Sequence, residues 1–172
     1  MDDEPDGAFL AMSKAFSSYG PIDKKTFRPL LTRLQRVTVT EGVILWRQGD
    51  KPDGMYLIDT GVLRAIYDFA DHREAFEESM VGGTLAGELS ALTSLPRNAT
   101  VLVEKDAVLW KLGVDDMKSL ETEYPELAQK FSHLVLKGMI NVLGITFIDT
   151  NIFSIVAKTD YDILLSALAA RQ

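Results

Sequence analysis

The sequence predicts a mainly β protein in which a small barrel sits between helices at both ends. Three observations predict it. Apolar residues fall at helical spacing before residue 36. From Val37 to Leu112 the chain breaks into short alternating or apolar runs separated by turn residues. After Gly113 the spacing becomes helical again. The organisation expected is an N-terminal helical segment (1–36), a barrel with its following helices (37–137), and a terminal part (138–172) with an apolar stretch and a last helix.

Taken in order, Met1 to Gly7 is acidic and expected to fray. Ala8 to Tyr19 places Phe9, Leu10, Met12 and Phe16 near helical spacing until Gly20-Pro21 stops it. Asp23 is the expected N-cap of a second helix with Phe27, Leu30, Leu31 and Leu34 on one side. Pro29 inside that pattern is expected to break it into two turns.

Val37 to Thr40 alternates, Glu41-Gly42 reads as a turn, and Val43 to Trp46 reads as a buried strand. Gln48 to Gly54 is dense in loop formers. Met55 to Asp59 and Val62 to Tyr67 are expected as two strands joined by a tight turn at Thr60-Gly61. Asp68 to Arg73 is a polar loop, and Ala75 to Met80 another strand. Thr100 to Val103 and Ala107 to Leu112 read as strands joined by a Glu104-Lys105-Asp106 turn. Asp115 or Asp116 is expected to cap a helix carrying Met117 and Leu120. Pro125 opens another with Leu127, Phe131, Leu134 and Val135 at helical spacing. Trp46, Trp110, Tyr56 and Tyr67 lie in strand patterns and read as structural.

Composition narrows the function. A formal net charge of −7 argues against a chain whose main task is gripping nucleic acid. With no cysteine there is neither a disulfide nor a thiolate metal site. The acidic N-terminus lacks the order of a signal peptide, so the compartment expected is the cytosol. A barrel enzyme with a metal needs clustered ligands, and the only histidines are His72, in the polar loop, and His133, read as a helix-surface or packing residue. Ser90 has no base of its own. The stretch Phe153 to Gln172 is too short and too acidic or apolar for a DNA-recognition helix. No enzyme and no metal are expected.

Chemistry gathers instead between Gly83 and Val101. Gly83, Ala86 and Gly87 deliver Glu88 to a short apolar turn, and Pro96 is followed by Arg97, Asn98, Ala99 and Thr100. Glycine lets a backbone approach an anion closely, and arginine offers a planar fork of donors suited to phosphate. Glutamate accepts hydrogen bonds from sugar hydroxyls. An acid and an arginine in so short a stretch suit a ligand that is part sugar and part phosphate.

With Gln48-Gly49-Asp50, Met55-Tyr56-Leu57-Ile58 and Gly61 ahead of it, this stretch resembles the phosphate-binding cassette of the cyclic nucleotide-binding domain family. The resemblance runs from about Leu34 to Leu136. It implies a jelly-roll β-barrel flanked by helices, with cyclic AMP or cyclic GMP as ligand and no other cofactor. It implies that Glu88 holds the ribose 2′-hydroxyl and Arg97 the phosphate. Backbone amides near Leu89, Ser90 and Ala99 would complete the cradle, with Gly87 and Asn98 beside them. Ala86 stands where the family usually has an aromatic residue, and Asn98 where it commonly has Ala, Ser or Thr.

A narrower resemblance, carried by Glu78 to Val81, Thr84 to Leu92, Leu95 to Val101, Val108 to Leu112 and Asp160 to Leu168, is to the C-terminal cytosolic domain of fungal SulP-type transporters. It implies a regulatory tail at the cytosolic face of a membrane, with the transporter body or self-association as partner. The expected function is a cyclic-nucleotide sensor in which a helix after the barrel closes over the base. The alternative is a structural or assembly domain with an empty pocket. Arg97 is expected to face solvent and to contribute little to the core. The apolar run Gly138 to Ala157 holds one charge, Asp149, and weighs against a membrane span; Tyr161 to Ala169 reads as a packing or lid helix.

Overall fold

The computed structural model describes residues 4–68 and 76–142. Helix α1 (Glu4–Phe16) and a 3-10 turn (Ser17–Tyr19) lead into α2 (Lys24–Leu31). Six strands follow: β1 (Gln35–Val39), β2 (Ile44–Trp46), β3 (Gly54–Tyr67), β4 (Phe76–Val81), β5 (Leu85–Ala86) and β6 (Thr100–Gly113). Helix α3 (Glu88–Thr93) lies between β5 and β6, and α4 (Val114–Glu123) and α5 (Pro125–Val142) complete the described chain. The strands form one antiparallel jelly-roll sheet in the order β1-β6-β3-β4, with β2 also on β6 and β5 also on β3.

The spine is the β3–β6 pair, which corrects the expectation of two tight turns. Gly54 pairs with Gly113 at one end and Ile66 with Thr100 at the other, with register shifts between Ile58 and Leu63. Thr60-Gly61 and Glu104 to Asp106 are therefore irregular rungs within two long strands rather than hairpin turns. Gly61 has φ of 98°, and a Cβ there would lie 2.4 Å from the Asp106 carbonyl oxygen. Two turn-like sequences placed opposite each other bend one ribbon.

Both faces of β3 are covered, which explains its buried run from Gly54 to Ile58. Met55 and Leu57 pack with Phe16, Leu30, Trp110, Leu112, Phe131 and Val135 beneath the helices. Tyr56 and Ile58 point the other way, into a barrel interior with Trp46, Leu63, Val103 and Leu109. Phe16 meets Phe131 edge-on at 6.2 Å between ring centroids, tying the first helix to the last described one.

Several expectations need correction. Glu4 to Gly7 belong to helix α1 instead of fraying, and Gly7 lies so close to Trp110 that a Cβ would meet the indole at 2.9 Å; Met1 to Asp3 lie outside the described residues. Pro29 does not break α2, which continues to Leu31; the N–H it lacks would have bonded only to Lys25, in the first turn. Asp23 caps that helix as expected, accepting from the Thr26 amide at 2.8 Å. Val43 precedes β2, and Val43 and Ile44 are exposed, leaving Trp46 as the buried end of that edge. Gly113, not Asp115 or Asp116, is the N-cap of α4; both aspartates sit in its first turn, where their charge suits the helix dipole. Helix α5 runs without interruption through residues 137 and 138. The greater part of the apolar stretch, the Tyr161 to Ala169 helix and His72 lie outside the described residues.

Candidate functional site

Arg97 is 2% exposed, which overturns the expectation of a solvent-facing side chain. Its Nη1 donates to the Gly87 carbonyl (2.8 Å) and to Ser90 Oγ (3.0 Å). Its Nη2 donates to Asp53 Oδ1 (2.8 Å) and to the Gly54 carbonyl (2.7 Å). The guanidinium lies 4.0 Å over the Trp46 ring, which in turn packs on Tyr56 at 5.4 Å. Four of the five N–H groups of an arginine are thus taken. The fifth, on Nε, is the only buried side-chain nitrogen or oxygen among the described residues without a hydrogen-bond partner.

The backbone is equally tied. The Gly49 amide donates to the Arg97 carbonyl and the Arg97 amide to the Asp50 carbonyl, both at 2.8 Å. That is the physical work of the Gln48-Gly49-Asp50 stretch: it holds the cassette arginine from the opposite loop. Gly87 has φ of 74°, and a Cβ there would come within 2.3 Å of Arg97 Nη1, so the close approach requires glycine. Ala86 pairs with Tyr56 across β5 and β3. The aromatic surface beside Gly87 is supplied by Trp46 instead.

Asp53, Tyr56 and Lys111 complete the support, and sequence reasoning missed Asp53 and Lys111. Asp53 Oδ2 accepts from Tyr56 Oη and from Lys111 Nζ, each at 2.9 Å. Partial burial pushes the Asp53 carboxyl up, but the bonds from Lys111 and Tyr56 and the charges of Lys111 and Arg97 outweigh it and hold it below its ordinary value. Burial and the bond to Asp53 raise Tyr56. Asp53 is the third residue of a Lys-Pro-Asp-Gly loop, a pattern that reads as a turn and carries no signal of its far partner.

A cavity of about 490 Å³ opens between the cassette, β3, β4, the end of α1 and the end of α5. That size is ordinary for a small-molecule site. Gly87, Glu88, Leu89, Arg97, Asn98 and Ala99 all line it, so six of the seven expected residues converge there. Ser90 does not line it; it is 3% exposed and grips Arg97 from behind. Asn98 is exposed, whereas Ala99 is buried. Gly138 and Met139 of α5 form part of the wall, so a helix after the barrel does reach the cavity. So do Tyr67 and Glu78, which were not expected as site residues.

Glu88 is half-buried, and its remaining surface faces this cavity. Desolvation pushes its carboxyl up to about 7, with the charge of Glu78 adding to the rise while its own backbone amide and Arg97 oppose it. A raised carboxyl pKa means that the folded state holds a proton the unfolded chain has released. Stability from this group is fully present below the ordinary 4.5 and is lost as pH rises toward about 7. The expected result is that the wild type loses thermal stability relative to Glu88→Gln between about pH 5 and pH 8, by at most about 3 kcal/mol. Parallel pH profiles for the two proteins would refute the assignment.

A family profile described as "Cyclic nucleotide-binding domain" matches residues 36–124, more than half of the chain and all of the cassette. The chain belongs to the cyclic nucleotide-binding domain family. A solved cyclic nucleotide-binding domain from Methylobacillus flagellatus superposes with a TM-score of 0.74 at 20% identity, over 84% of this chain and 83% of that one. The cAMP-bound PfPKA-R structure superposes with a TM-score of 0.59 at 21% identity, over 91% of this chain and 54% of that one. In sequence, Lysophospholipase nte1 of Aspergillus fumigatus is 31% identical over 132 residues, 77% of this chain and 8% of that protein. Patatin-like phospholipase domain-containing protein 6 of Homo sapiens is 30% identical over 105 residues, 61% of this chain and 8% of that protein. The chain therefore spans about a twelfth of these relatives. They are phospholipases by name, and the narrower resemblance to SulP transporters gains no support from them. Among the described residues no helix is long and apolar enough to cross a membrane.

Proposed function

We propose that the cavity binds a cyclic nucleotide and that the domain is a regulatory sensor rather than an enzyme. The observation that carries this reading is the orphaned Arg97 Nε. A buried N–H without a partner costs about 1–3 kcal/mol, and an anionic oxygen arriving from the adjoining cavity would remove that cost. The cyclic phosphate is assigned to Arg97 beside Gly87, with Leu89 and Ala99 at its sides and Asn98 at the rim; Ser90 acts by holding the arginine. The ribose 2′-hydroxyl is assigned to the Glu88 carboxyl. Family membership supports the ligand class, and the cAMP named with PfPKA-R is an instance of it in a relative of the same fold.

Gly138 and Met139 of α5 line the cavity, and the base is assigned to the space beside them, so filling the cavity would bias that helix between two positions. A ligand shifts such an equilibrium only by its differential affinity, typically about 1–3 kcal/mol. The partner that reads the shift is proposed to be another part of a longer cytosolic protein. The phospholipase relatives favour a lipid-cleaving host over a transporter body.

Calorimetric titration of the purified chain with cyclic AMP and with cyclic GMP tests the reading. Saturable heat with a rise in melting temperature is expected for at least one of them. No heat and no thermal shift at millimolar ligand would leave the empty assembly domain as the correct reading.

A further inference from the structure

At the far end of the cavity from Arg97 the wall carries a carboxylate, and sheet register fixes its place. Ala65 of β3 pairs with Glu78 of β4 on one side and with Val101 of β6 on the other. All three line the cavity. Tyr67, two residues beyond Ala65, projects to the same face and donates its hydroxyl to Glu78 Oε2 at 3.2 Å. Among the described residues no donor reaches Oε1. The methyl of Ala65 leaves the space beside this carboxylate open.

The electrostatics order the cavity in the same way. Glu88 feels the charges of both Glu78 and Arg97, and Tyr67, bonded to Glu78, feels those of Glu78 and Glu88. Arg97, Glu88 and Glu78 therefore follow one another as phosphate, sugar and base do in a nucleotide.

Resting on the cyclic-nucleotide reading above, we propose that Glu78 makes this site select guanine over adenine. Guanine's Watson–Crick edge offers two parallel donors, the N1–H and the 2-amino N–H, which match the two oxygens of a carboxylate. Adenine offers one donor and one lone pair there, and the lone pair would face a carboxylate oxygen. Tyr67 holds the carboxylate in one orientation, and an oxygen that already accepts one hydrogen bond has capacity for a second. Tyr67 acts as a positioning residue.

The test is calorimetry with cyclic GMP, cyclic AMP and cyclic IMP on the wild type, Glu78→Gln and Tyr67→Phe. The wild type should prefer cyclic GMP over cyclic AMP by about tenfold or more, the effect of one good bidentate pair. Cyclic IMP, which lacks the 2-amino group, should fall between them. Glu78→Gln replaces an acceptor pair with one acceptor and one donor, a match to adenine, and should abolish or invert the preference. Tyr67→Phe should weaken the preference without reversing it. Equal affinities in the wild type, a preference for cyclic AMP, or an unchanged ratio in Glu78→Gln would overturn the assignment of Glu78 alone. Failure of all three nucleotides to bind the wild type would overturn the cyclic-nucleotide reading with it. The nucleotide series on the wild type decides the matter even if a variant does not fold.

Discussion

Arg97→Ala is expected to lower stability by about 3 kcal/mol and to abolish nucleotide binding, the first effect at the low end for breaking a buried ion pair. The side chain is 2% exposed and satisfies two carbonyls, a serine hydroxyl and a carboxylate on two separate stretches of chain, Asp53-Gly54 and Gly87 to Ser90. Removing it takes away the bonds to Ser90 Oγ and the Gly54 carbonyl, while the Gly87 carbonyl keeps the Ala91 amide and Asp53 keeps Lys111 and Tyr56. That retained pairing, with Asp53 itself half exposed, is why the loss should stay near the lower end. Arg97→Lys separates the two effects. An ammonium can meet Asp53, but it cannot also reach Gly87 and Ser90 with the geometry of a planar fork. It should recover part of the stability and little of the binding. Urea unfolding beside calorimetry reads both, and an Arg97→Ala protein that unfolds at the wild-type midpoint would show that the buried network contributes nothing.

Gly61→Ala is expected to destabilise by about 3 kcal/mol or more, combining a left-handed backbone penalty with overpacking. Its φ is 98°, and a new Cβ would lie 2.5 Å from both the Cα and the Cβ of Ala107 as well as 2.4 Å from the Asp106 carbonyl oxygen. Those are atoms of the paired strand, which cannot rotate away. Gly42→Ala is the control: φ is 89°, yet nothing lies within 4 Å of the added carbon. It should cost only the backbone term, about 1–2 kcal/mol. Thermal denaturation of the two variants compares them directly, and equal losses would mean that the crowding at Gly61 is relieved elsewhere.

The layers of this fold were readable because periodicity is a local signal. Phe16, Leu30, Phe131 and Val135 fall on helical faces, and Tyr56 and Ile58 alternate with Met55 and Leu57, whatever they pack against. The cassette was readable for the same reason: Gly87, Glu88 and Arg97 lie within one short stretch. What escaped was set by pairing between distant segments. Asp53 meets Arg97 only because the start of β3 lies beside the cassette, and Tyr67 meets Glu78 only through the β3–β4 register. Arg97 read as exposed because a charged loop residue usually is; burial followed from partners that local sequence does not reveal. Thr60-Gly61 and Glu104 to Asp106 read as turns because each is locally turn-like, and only their juxtaposition makes them a shared bend.

That bent ribbon has a consequence for how the protein is assembled. Gly54 finds Gly113 only after nearly the whole barrel sequence has been made, so the ribbon closes at a late step and against a large chain entropy. Asp53 sits at one edge of that closure and Arg97 on the loop leading into the other strand. A partly folded chain therefore has no site to offer. Whatever binds at Arg97 rewards the finished fold alone, and its binding free energy is added to the whole barrel rather than to one loop.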